Sequence, residues 1–133
     1  MKTYLRYVLF LLVVGNLGLG LSQGFAADHE SPVIEVRVYK IPEGKMDEWE
    51  RFFHDKLVGA MERAGIKVLS AYRTMGDENL FVWSRQYSNK ANMAKERAAF
   101  YESDLWRNTL RKELREKGLF EKLEANYTVE ISK

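Results

Sequence analysis

The chain contains no cysteine, which removes disulfides, thiolate metal sites, a cysteine nucleophile and a lipid-modified N-terminal cysteine. Histidine is nearly as scarce: of two, His29 falls in a polar stretch and His54 alone lies inside a patterned segment. No His-x-His, His-x-x-x-His or carboxylate cluster is present, so a purely protein-ligated metal is not expected. A lone imidazole can hold haem iron, but that pocket is larger than a domain of this size usually encloses. The sequence therefore predicts neither a metal nor another cofactor. It also lacks Gly-x-Ser-x-Gly, a second domain histidine for a triad, and a phosphate-cradling glycine loop. Internal repeats, low-complexity tracts and long runs of like charge are missing too.

What is present suits one small globule of 133 residues, 46% hydrophobic and 13% aromatic. The formal charge of +2 comes from 21 basic and 19 acidic residues. Lys2 and Arg6 are its whole excess, and both lie in a segment that reads as removable. The remainder is near neutral, which gives no electrostatic reason to expect nucleic acid or an anionic membrane as partner.

Residues 1–26 have the three parts of a secretory signal. Lys2 and Arg6 supply the positive start, Tyr7 to Val14 is wholly apolar, and Gly15 to Leu21 continues with Asn16 as its one break. Gly24-Phe25-Ala26 then offers small residues at the two positions a signal peptidase reads, so cleavage after Ala26 is expected. The continuous apolar run is much shorter than the roughly 20 residues a spanning helix needs. Export to a bacterial periplasm, or full secretion, is expected on this reading, with no stable membrane anchor left afterwards.

A flexible lead-in, 27–32, precedes a domain at 33–133. Val33 to Tyr39 alternates with period two, placing Ile34, Val36 and Val38 on one face and Glu35, Arg37 and Tyr39 on the other. A turn at Pro42-Glu43-Gly44 leads to an amphipathic helix over 45–64, ended by Gly65. Strands are predicted at 66–75 and 80–87, joined by a hairpin loop at 76–79. Ser88 or Asn89 caps a second helix to about Tyr101, and Ser103 a third that stops at Gly118. A last strand covers 127–131. The order β-α-β-β-α-α-β makes an α+β, ferredoxin-like half-barrel with its second helix divided.

Helices cover one face of such a sheet, leaving the other to water or a partner. The aliphatic face of the first strand is expected to meet the helices. The opposite face, with Glu35, Arg37, Tyr39, Trp83, Arg85 and Tyr87, is then expected to be covered by the same face of a second copy, giving a homodimer.

The stretch Ile34-Glu35-Val36-Arg37-Val38-Tyr39-Lys40-Ile41, leading into Pro42-Glu43-Gly44-Lys45-Met46-Asp47-Glu48-Trp49, resembles the opening of the NIPSNAP family. Phe52-Phe53-His54-Asp55, Ala64-Gly65-Ile66-Lys67-Val68, Phe81-Val82-Trp83 with Arg85 and Tyr87, and Ala99 to Trp106 extend the resemblance over nearly all of 33–131. Asp104-Leu105-Trp106 is shorter than the family's Asp-Pro-x-Trp, and a signal sequence is not a family hallmark. The resemblance implies a dimeric α/β barrel, in a wider group that holds cofactor-free monooxygenases, haem enzymes, isomerases and proteins of no assigned chemistry. Fold alone does not choose among them.

His54 and Tyr39 are the candidate catalytic residues, since an imidazole or phenol at a pocket rim can move a proton. A helix-flank histidine bonded to Glu50 or to backbone is the plainer alternative for His54. Trp83, Arg37, Arg85, Glu35 and Tyr87 are candidate ligand-binding residues, or else an ion-pair network with interface packing that sets dimer register. The expected function is binding of a small apolar or aromatic compound without strong catalysis. The alternative is a cofactor-independent monooxygenase or isomerase acting on an activated ring compound. A third reading is docking of a protein partner on the helical surface.

Overall fold

A computed structural model describes residues 31–130. The signal sequence read at 1–26, most of the lead-in, His29 and the close of the last strand at Ile131 lie outside the described residues.

Four strands, β1 (Val33–Lys40), β2 (Lys67–Arg73), β3 (Leu80–Tyr87) and β4 (Lys122–Glu130), form one antiparallel sheet in the order β2-β3-β1-β4. This is the expected ferredoxin-like arrangement, with the first and third strands central, and it remains an open sheet rather than a closed barrel. The last strand begins five residues earlier than its alternation suggested, at Lys122 instead of Tyr127. Glu121 N–H already bonds Lys40 O at 3.0 Å, so β1 templates β4 along its whole length.

The two long helical segments each carry a π-helical turn. The first runs as α1 (Met46–Phe52), a π turn at Phe53–Leu57 and α2 (Val58–Arg63). After α3 (Lys90–Tyr101), a second π turn at Leu105–Leu110 continues into α4 (Arg111–Glu116). Asn89 caps α3, accepting the Asn92 N–H at 2.7 Å, while Ser103 Oγ accepts the Trp106 N–H at 3.1 Å.

Gly65 and Gly118 end the two segments with φ of +88° and +60°. In each case the next residue bonds back five positions: Ile66 N to Met61 O at 3.0 Å, and Leu119 N to Leu114 O at 3.1 Å. A side chain at either glycine would strain that left-handed turn. Ile66 and Leu119 are themselves fully buried, so each stop also anchors the chain to the core.

The faces of the sheet are the reverse of the sequence expectation. Val33, Glu35, Arg37 and Tyr39 pair across β1 and β3 with Tyr87, Arg85, Trp83 and Phe81, and this mixed row faces the helices. Tyr39 meets Trp49 of α1 edge-on at 5.6 Å, and Trp83 meets Phe53 at 5.2 Å. Such edge-to-face pairs contribute about 0.5–1.5 kcal/mol each beyond their buried area. Ile34, Val36 and Val38 lie on the opposite, uncovered face, where β4 adds Tyr127, 60% exposed, and Val129, 44% exposed. Aromatic rings on the helices favour aromatic partners on the sheet, and the charges among them are paired, so the mixed face is the one that packs.

Candidate functional site

Directly opposite each other on neighbouring strands, Glu35 and Arg85 are both fully buried. Arg85 Nε donates to Glu35 Oε2 at 2.5 Å, and Arg97 Nη2 of α3 donates to Oε1 at 2.6 Å. Asn126 of β4 and the Tyr87 hydroxyl add hydrogen bonds at 3.0 and 3.1 Å, and Arg37 Nη1 stands 3.4 Å away. Burial alone would raise the Glu35 carboxyl. The charge of Arg85, the hydrogen bonds from Asn126 and Arg85, and the charge of Arg37 outweigh it and hold the group down at about 2. Four elements thus converge on one carboxylate, and the network lies within a single chain.

Two residues further along β1 the packing opens. A cavity of about 340 Å³ lies between the sheet's inner face and the helices. Its walls include Arg37 and Tyr39 of β1, Trp83 of β3, Trp49 of α1, Phe100 and Tyr101 of α3, Trp106 of the second π turn and Phe120 before β4. Leu57 and Met61 close one side; Arg111, Leu114 and Arg115 of α4 stand on the other, with both arginines exposed at the mouth. The volume falls in the range of small-ligand sites, as does an apolar lining with a few polar groups. Buried Trp49 Nε1 and Trp83 Nε1 have no hydrogen-bond partner among the described residues.

The network and the cavity share a wall. Arg85 Nη1 donates to the Tyr101 hydroxyl at 3.1 Å, and Arg37 Nε donates to the Tyr39 hydroxyl at 3.1 Å. Burial pushes the Tyr39 phenol up to about 12, against the opposing pull of Arg37. Tyr39 is therefore a neutral hydroxyl near neutral pH, able to donate a hydrogen bond but not to take a proton.

The candidates separate accordingly. Arg37, Tyr39 and Trp83 line the cavity, whereas Glu35, Arg85 and Tyr87 form the buried network behind it. His54 is exposed in the first π turn, outside the cavity lining, with its ring 5.3 Å from the Phe53 ring. It does not hold Glu50, whose two oxygens are taken by Arg73 at 2.8 and 2.5 Å. Sequence reasoning missed Trp106, Arg111, Arg115 and Phe120, because their inward side depends on how the divided second helix lies across the sheet. The spacing of Arg111 and Arg115, one helical turn apart, was the available signal. Among the described residues no cluster of histidine, aspartate and glutamate could hold a metal ion.

Comparison with known proteins agrees with this architecture. An 18% identical NIPSNAP-family protein of unknown function from Agrobacterium tumefaciens superposes with a TM-score of 0.67, over 79% of this chain and 92% of that one. An uncharacterised NIPSNAP-like domain protein from Burkholderia xenovorans, also 18% identical, gives 0.67 over 78% and 88%. A Chloroflexus aurantiacus protein assigned by name to the antibiotic biosynthesis monooxygenases is 10% identical and gives 0.54, over 77% and 95%. Among curated proteins none matches the sequence. The NIPSNAP family profile matches residues 34–129, all but the outermost residues of the sheet together with its helices, and the chain belongs to the NIPSNAP family.

Proposed function

We propose that this protein binds a small apolar or aromatic compound in the cavity beneath its sheet, without strong catalysis, after export from the cytoplasm. The carrying observation is the cavity itself: about 340 Å³, walled by aromatic rings, with no histidine, carboxylate or serine among its lining residues. Ring walls favour a ring-bearing guest through buried area and edge contacts. Native mass spectrometry of protein purified from cells expressing the full chain tests this. A noncovalent adduct lost on Leu114→Trp, which fills the cavity, supports the reading; no adduct on either protein, or the same adduct retained by the variant, sinks it.

A homodimer belongs to the same proposal, now through the aliphatic face. Ile34, Val36 and Val38, with Tyr127 and Val129 beside them, form an apolar surface on which a second copy can lie sheet to sheet. Sedimentation should give twice the chain mass, and Val36→Asp should halve it. A wild-type monomer at high concentration would end this part.

A second reading, a cofactor-independent monooxygenase, draws on the monooxygenase-like fold neighbour and on Tyr39 inside the cavity. Here Tyr39, held by Arg37, would donate a hydrogen bond to a ring oxygen while Trp83 stacks on the ring. Turnover unchanged in Tyr39→Phe would remove it.

A further inference from the structure

The cavity's polar groups are one-sided. Its lining holds three arginines, Arg37, Arg111 and Arg115, and no aspartate or glutamate. The sequence of α4 shows how this comes about. Glu113 is taken by Lys56 at 2.6 Å and Lys117 at 2.9 Å, and Glu116 by Lys112 at 3.7 Å. The acids of the helix are thus paired with lysines, whereas Arg111 and Arg115 line the cavity, four residues apart, with no carboxylate partner among the described residues.

The three arginines are not equivalent. Arg37, on the cavity floor, already serves Glu35 and the Tyr39 hydroxyl and stacks on the Tyr39 and Trp83 rings at 5.4 and 5.8 Å. Its charge is committed. The uncommitted charge stands at the mouth, and aromatic surface lies inward of it. Guanidinium groups present parallel N–H donors that match the two oxygens of a carboxylate.

We propose that the ligand is an organic anion, a flat one- or two-ring body seated among Trp49, Trp83, Phe100 and Trp106, with a carboxylate held at the mouth by Arg111 and Arg115. The inference rests on the cavity reading above and adds the sign and position of the charge. A neutral ring compound would gain nothing from the mouth arginines, which water would go on solvating, and an ammonium compound would be repelled by them.

The test uses three matched probes, 2-naphthoate, its neutral amide 2-naphthamide, and 2-naphthylmethylammonium, with binding read by calorimetry and tryptophan fluorescence. The acid should bind roughly tenfold or more tighter than the amide, the gain expected of a charge-assisted pair. Added salt should weaken the acid and leave the amide unchanged. The double variant R111Q/R115Q should bring the acid to the level of the amide, and R111K/R115K should keep part of the preference. Both arginines are exposed, and an unchanged thermal midpoint verifies that the variants are folded. Equal affinity for acid and amide overturns the anion assignment while the cavity reading stands. A preference that persists in the folded R111Q/R115Q protein overturns the role of these arginines. If none of the three probes binds, the cavity reading itself fails and the anion proposal falls with it.

Discussion

The inner face of the sheet has two ends built from similar residues with opposite results. Around Glu35 five side chains reach a single carboxylate, and Glu35, Arg85 and Tyr87 are fully buried, although Arg85 Nη2 has no hydrogen-bond partner among the described residues. Two residues along β1, Arg37 and Tyr39 sit among larger rings that do not fill the space, and a cavity remains. Rigid aromatic rings meeting edge-on leave gaps that flexible charged chains would close. The filled end also holds the hollow end in shape, because Arg85 reaches Tyr101 and Arg37 reaches Tyr39 across the shared wall.

Substitutions can break this comparison. The largest effect is expected from Glu35→Gln, which leaves Arg85 charged, fully buried and without its counter-ion. Breaking one partner of a buried pair costs about 3–5 kcal/mol, to be read from chemical denaturation midpoints. Acid gives a slightly smaller version. The Glu35 group sits at about 2 in the folded chain against an ordinary 4.5. Its contribution is therefore complete above the ordinary value, declines as pH falls below it, and is gone once pH has passed the folded value. The loss across that window should be on the order of 3 kcal/mol, and should vanish in Glu35→Gln. Tyr39→Phe removes the acceptor of one Arg37 hydrogen bond and should cost about 1 kcal/mol, since Arg37 keeps Glu35. Leu114→Trp should cost least, within ~1 kcal/mol, because the new ring enters open space. A cost several times larger would show that the cavity end is as tightly filled as the network end.

The order of strands and helices was legible because it is written in short-range signals. Alternation at Val33 to Tyr39 and the glycine stops at Gly65 and Gly118 operate within a few residues of themselves. The orientation of the sheet was not legible. Glu35 looks like a surface residue when its neighbours alone are read, yet its partners Arg85, Arg97 and Asn126 come from 50, 62 and 91 positions away. Three aliphatic residues in alternation argued for a buried face; the paired charges and helix-borne rings outweighed them. Site residues on β1 and β3 could be named from sequence for the same reason that strands could, by period two. Those on α4 and the second π turn were not named: Trp106, Leu110 and Leu114 do share the inward stripe that their four-residue spacing suggests, but nothing local shows that a cavity lies beneath that stripe rather than filled core.

Both π turns border the cavity, and each supplies one of its walls, Leu57 from the first and Trp106 from the second. A π turn holds one residue more than the α turn it replaces. Deleting a single residue there would restore regular α winding and leave the downstream residues on nearly the same face, so the change would fall on the turn itself. Met61 and Leu114 would keep facing the chamber, while the wall residues inside the turns, Leu57 and Trp106, would be displaced. The breadth of the chamber is thereby set by how many amino acids each turn contains, so relatives differing by one-residue gaps at these two places should have chambers of different breadth.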